Sequence, residues 1–114
     1  MGQFVVGDIV VVKFPYSDLK GYKLRPALVV SHGEFNNLIL CQITSKSYSS
    51  KLATPITEKD FENGGLSITS YVRPDKIFTA DPALIQKRAG KLKAINCRDI
   101  LQQVRELFSD SRLQ

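Results

Sequence analysis

The sequence predicts a mainly β domain of the α+β class, a small, strongly curved antiparallel sheet or barrel accompanied by helices. Three observations carry this. Six short aliphatic or β-branched runs follow one another within the first eighty residues, separated by polar stretches holding Gly or Pro, as successive antiparallel strands are. An amphipathic helical pattern occupies the C-terminal end. The chain of 114 residues has room for one core but not two, so residues 1–114 are expected to form a single domain.

The strands are expected at "GDIVVVKF" (7–14), "RPALVVS" (25–31), "LILCQIT" (38–44), "LATPIT" (52–57), "LSITSYV" (66–72) and "KIFTA" (76–80). Gly64 and Gly65 read as a turn between strands, and His32 as a turn residue following one. A short helix is expected near 82–88, because Asp81 is a suitable N-cap and Pro82 stands at the first helical position, where its missing N–H costs nothing. The C-terminal helix is expected near 97–108. It puts Ile100, Leu101, Val104, Leu107 and Phe108 on one face, with Asn96 and Asp99 spaced as a cap and its reciprocal partner.

Composition narrows the function. Hydrophobic residues are 43% and charged residues 24%, which describes a folded globular chain. The net charge of +5 favours an acidic or nucleic-acid partner. Cys41 and Cys97 form no CxxC pair, and Cys41 lies inside an apolar run as a reduced core thiol does, so a cytoplasmic protein is expected. Asp8 interrupts the apolar N-terminal stretch, which lacks a basic leader and is too short to span a membrane; Val6 stands where a myristoylation signal needs Ser or Thr. One His, two separated Cys and acidic residues without ligand spacing offer no metal site, and no cofactor motif is present.

Two loops mix cations with aromatics: "PYSDLKGYK" (15–23) and "SKSYSSK" (45–51). Such loops can follow a phosphodiester backbone and stack bases, or simply be solvated connections. Arg25 is held at the start of a strand by Pro26, which keeps the preceding residue extended. If strands 25–31 and 38–44 form a hairpin, antiparallel pairing brings Arg25 beside Thr44. A guanidinium and a hydroxyl together can hold a phosphate; a rim charge beside a β-favouring threonine is the other reading of the same residues. Arg73, Asp75 and Lys76 in "VRPDKIFT" can be a base with an electrostatic stabiliser or an exposed ion-pair cluster.

In order and spacing, "GDIVVVKFPYSDLKGYKLRPALVVS", "LILCQITSK" and "LSITSYVRPDKIFT" resemble the MazF/PemK (Kid-like) toxins of bacterial type II toxin-antitoxin systems, over about Gly7 to Phe108. The resemblance implies an SH3-like barrel with a C-terminal helix, assembled as a homodimer. It implies a metal-independent, sequence-specific endoribonuclease that cleaves single-stranded RNA by attack of the 2′-hydroxyl, leaving 2′,3′-cyclic phosphate and 5′-hydroxyl ends. Arg25 and Thr44 fall on the family's catalytic arginine and threonine. A guanidinium is a weak acid near neutral pH, so stabilising the phosphorane is the main role expected of Arg25. Arg73 and Asp75 reproduce an Arg-x-Asp pair on which some members rely. Tyr16, Lys23, Lys46, Tyr48 and Lys76 are the expected RNA contacts. The implied partner is a cognate, acidic antitoxin whose C-terminal tail lies in the RNA groove. Two alternatives are a CcdB-like toxin that binds DNA gyrase, whose binding end uses a tryptophan this chain lacks, and a non-catalytic RNA-binding barrel.

Overall fold

A computed structural model describes residues 3–15, 18, 20–46 and 51–113. Seven strands form one antiparallel sheet: β1 (Asp8–Pro15), β2 (Tyr22–His32), β3 (Leu38–Thr44), β4 (Thr54–Ile56), β5 (Phe61–Gly64), β6 (Ser70–Ala80) and β7 (Ile85–Leu92). Their order across the sheet is β4-β6-β3-β2-β1-β7-β5, and one α-helix among the described residues, α1 (Ala94–Glu106), follows. The mainly β, α+β architecture expected from the sequence is present, as a half-barrel.

Chain connectivity forces the curl. β4 and β5 are opposite edges of the sheet, six strand spacings apart, which on a flat sheet is about 29 Å. The chain from Ile56 to Phe61 can stretch only about 18 Å. The edges must therefore approach, and they do: Ile56 and Phe61 share one buried cluster with Ile9, Leu28, Cys41, Ile43, Val72 and Leu92. Helix α1 closes that face with Cys97 and Ile100, and partly with Leu101 and Val104. Asp60, in the turn between the edges, ties them to the helix by accepting from Asn96 Nδ2 at 3.1 Å, while its backbone carbonyl accepts from the Lys93 N–H at 2.9 Å. Across the helix, Thr54 Oγ1 donates to Gln103 Oε1 at 2.6 Å.

The other sheet face carries a second cluster, Val10, Val12, Ala27, Val29, Leu38, Leu40 and Ala80, bordered by Phe4, Phe14, Phe78 and Ile85. Asp8, which broke the apolar N-terminal pattern, is buried there in an ion pair with Arg88 Nε at 3.0 Å, and also accepts from the Val5 N–H at 2.9 Å. Both cysteines are free and buried.

Several expectations need correction. The helix near 82–88 is a single 3-10 turn, Pro82–Leu84, after which the chain runs as β7. Asp81 does cap that turn, accepting from the Ala83 N–H at 2.8 Å, but pairing with β1 and β5 overrides the helical start signal. α1 begins three residues early, at Ala94; Asn96 lies inside it, bound to Asp60, and its N-cap, Lys93, makes no side-chain cap. Phe108 lies beyond the helix and is 73% exposed. The end of the run at 66–72 and the run at 76–80 belong to one strand, β6, which starts only at Ser70, and β5 went unforeseen, with Gly64, expected in a turn, as its last residue. His32 ends β2, with Nε2 2.9 Å from the Phe4 carbonyl oxygen.

β5 and β7 meet through two glycines. Gly64 has φ +67, and a Cβ on Gly90 would lie 2.7 Å from the Asn63 carbonyl oxygen and 2.8 Å from the Gly65 nitrogen. Backbone atoms at that range cannot swing away as a side chain can. Gly90→Ala is expected to lower unfolding stability by about 1–3 kcal/mol, measured in urea, the usual cost of overpacking; an unchanged midpoint would show that the two strands can separate freely.

Candidate functional site

The site is made by an interruption in β6. Cys41 pairs with Ile77 and Ile43 with Val72, so on β3 only Gln42 lies between the paired positions, whereas on β6 four residues do, Arg73, Pro74, Asp75 and Lys76. Pro74 has no N–H to give to a ladder, and its side chain is fully buried. The excess length bulges out, and such bulges re-aim side chains.

Opposite the bulge, β2 and β3 part. Their pairing ends at Ala27 with Gln42; carried two steps further, the same register would set Arg25 across from Thr44, and both line one cleft. Along this face side chains alternate, so Lys23 and Arg25 follow Ala27 and Val29, while Gln42 and Thr44 follow Leu38 and Leu40. The second core cluster thus gives way, at one end of the same face, to polar and cationic residues. A cleft of about 390 Å³ opens there, lined by Lys23, Arg25, Gln42, Thr44, Lys46, Arg73 and Lys76, with Phe14, Pro15 and Ile43.

Among the described residues, five cations and no carboxylate line the cleft. Arg25 is half-buried, and its guanidinium has no hydrogen bond or ion pair among the described residues. Arg73 is differently placed. Its Nε and Nη2 donate to the two Asp75 carboxylate oxygens at 3.0 and 2.9 Å. This pair of hydrogen bonds holds the Asp75 carboxyl below the usual carboxylate range and raises Arg73 in return. Thr44 Oγ1 accepts from the Lys46 N–H at 3.2 Å, which leaves the hydroxyl hydrogen to be donated elsewhere. Behind the bulge, burial, and then the Asp75 charge, pushes the Cys41 thiol up to about 12, so it stays protonated and is no nucleophile. Among the described residues, no group of three His, Cys, Asp or Glu could hold a metal ion, and no helix is long and apolar enough to cross a membrane.

Of the residues singled out in the sequence, Arg25, Thr44, Lys23, Lys46, Arg73 and Lys76 thus meet in one cleft, and Asp75 is joined to it through Arg73. Lys23 is on strand β2 and not in the preceding loop, since β2 begins at Tyr22. Tyr16 and Tyr48 lie outside the described residues. Gln42 and Phe14 line the cleft without having been singled out. The signal for Gln42 was present: two residues before Thr44 on a strand means the same face.

No curated protein matches the sequence. In fold the chain is similar to MazE-MazF from Deinococcus radiodurans, with 18% identity over 90% of this chain and 94% of that one and a TM-score of 0.72. It is similar also to an endoribonuclease in complex with its cognate antitoxin from Mycobacterial species, at 16% identity over 95% of both chains and a TM-score of 0.70. A third is the Mycobacterium tuberculosis toxin MazF-mt6, at 18% identity over 87% of this chain and 95% of that one, with a TM-score of 0.62. The family model for the PemK-like, MazF-like toxins of type II toxin-antitoxin systems matches residues 6–108, nearly the whole length, and the chain belongs to that family.

Proposed function

We propose that this toxin is an endoribonuclease that cleaves single-stranded RNA in a sequence-specific way without a metal. The observation that carries the reading is the cleft itself, where Arg25, free of any counter-ion among the described residues, stands with four other cations and the Thr44 hydroxyl. RNA supplies its own nucleophile. The ribose 2′-hydroxyl gives up its proton to water as its oxygen bonds to phosphorus, and the bond to the 5′-oxygen of the next nucleotide breaks as that oxygen takes a proton from water, leaving a 2′,3′-cyclic phosphate and a 5′-hydroxyl. What the protein must add is orientation and stabilisation of charge on the phosphorane oxygens. Arg25 does the second, and Thr44 donates a hydrogen bond to the same phosphate. Lys23, Lys46 and Lys76 hold the flanking backbone, with Tyr16 and Tyr48 as further contacts.

Between the two arginines, the ion pair decides. Arg73 shares its charge with Asp75 and has two of its donors occupied, so it has less to offer a phosphate than Arg25. Asp75 is equally handicapped as a base, because the pairing lowers its proton affinity. Both act at the edge of the cleft, fixing the bulge and adding to its field. Nothing favours the gyrase-binding alternative.

The chain works in the cytoplasm as a homodimer and is silenced by a cognate antitoxin whose acidic tail covers the cationic cleft. The similar structures that hold an antitoxin support such a partner, and the net charge of +5 suits an acidic one.

Arg25→Ala is expected to lower the cleavage rate by about a hundredfold or more, the scale of losing one preorganised charge stabiliser, with the thermal midpoint unchanged and with wild-type cleavage persisting in EDTA. Undiminished cleavage by the variant would reject the mechanism. Asp75 gives a second check. A carboxyl held low by Arg73 stays charged throughout the neutral range, and the stability its ion pair contributes is full above the ordinary carboxylate range and is lost as the pH falls from there through its lowered value. The pH–rate profile of Asp75→Asn between pH 5 and 9 should therefore keep the wild-type shape; loss of an acid limb in that window would make Asp75 the general base.

A further inference from the structure

Gln42 is the cleft residue that the proposed chemistry leaves without a task. It stands where β6 bulges, the one β3 residue faced by four, and on the same sheet face as Arg25 and Thr44. It is half-buried, and its carboxamide has no hydrogen-bond partner among the described residues. The five cations around it only donate, and the Thr44 oxygen already accepts from the Lys46 N–H. A phosphate needs donors alone. The amide N–H could serve a phosphate but the carbonyl oxygen beside it could not, whereas the two together match the edge of a nucleobase, which presents donors and acceptors in adjacent positions. Phe14 also lines the cleft, with its ring centroid 4.9 Å from that of Phe78, and supplies an aromatic surface on which a base can stack.

We infer that Gln42 reads the edge of one base beside the scissile phosphate, with that base stacked on Phe14, and so sets the sequence preference at that nucleotide. The inference rests on the endoribonuclease reading and adds a recognition residue to it.

The test is to incubate wild type, Gln42→Met and Gln42→Glu with a random single-stranded RNA pool and to sequence the new 5′-hydroxyl ends. Met keeps the length and loses both hydrogen bonds. That variant should still cleave, with base preference at one flanking position flattened by roughly 5- to 100-fold and the other positions unchanged. Glu only accepts, so it should redirect the same position away from uracil and towards adenine, cytosine and guanine, whose edges carry an amino group. Unchanged preferences in both active variants would overturn the inference and leave the endoribonuclease reading standing. An equal loss of rate at every sequence would also overturn it, by giving Gln42 to the ribose or the phosphate. A wild type that cuts no RNA would overturn both.

Discussion

The structure depends on a proline that cannot join a ladder. Pro74 lies buried in the middle of β6, the strand that pairs with both β3 and β4, and the sheet accommodates it by letting four residues of β6 stand opposite Gln42 alone. The Arg73–Asp75 ion pair braces the displaced segment across Pro74. Moving those residues out of the ladder opens the cleft, and it brings Arg73 and Lys76 round to the side where Arg25 and Thr44 already stand.

Rigidity comes from the other side of the sheet. Because the residues joining β4 to β5 are too few to span a flat sheet, the strands wrap one core, and α1 is fastened across the closing edges through Asp60 and Gln103. The strands that bear Arg25 and Thr44 are thereby held by cores on both faces, with Leu28, Cys41 and Ile43 in one cluster and Ala27, Val29 and Leu40 in the other. Side chains on such strands can be presented to a ligand without a large loss of order on binding, which is the physical content of preorganisation.

Much of this was legible in the sequence. The run "LILCQIT" gave β3 with its bounds, and the expected hairpin of β2 with β3 is present, its register ending two residues short of Arg25 and Thr44. The misses share one cause, since each was decided by partners distant along the chain. "IQKRAGKL" lacks a clear period of two and follows a sound helix start, yet becomes β7 because β1 and β5 flank it. "FENG" is too short and polar to read as a strand until Gly90 lies beneath it. The apolar runs on either side of "RPDK" looked like separate strands because a proline usually ends one, and only the buried position of Pro74 shows that it interrupts without ending.

The central claim is that the cleft's cations, and not the chain's general positive charge, hold the phosphates of RNA. The most direct measurement is the salt dependence of binding to a single-stranded RNA by Arg25→Ala, with Lys76→Gln and Lys59→Gln added in turn. Lys76 lines the cleft, whereas Lys59 lies in the turn between β4 and β5. Removing Lys76 should reduce the slope of log affinity against log salt by about 0.7, the share of one phosphate contact on a single strand, and removing Lys59 should leave it unchanged. Equal effects from the two lysines, or none from Lys76, would contradict the account.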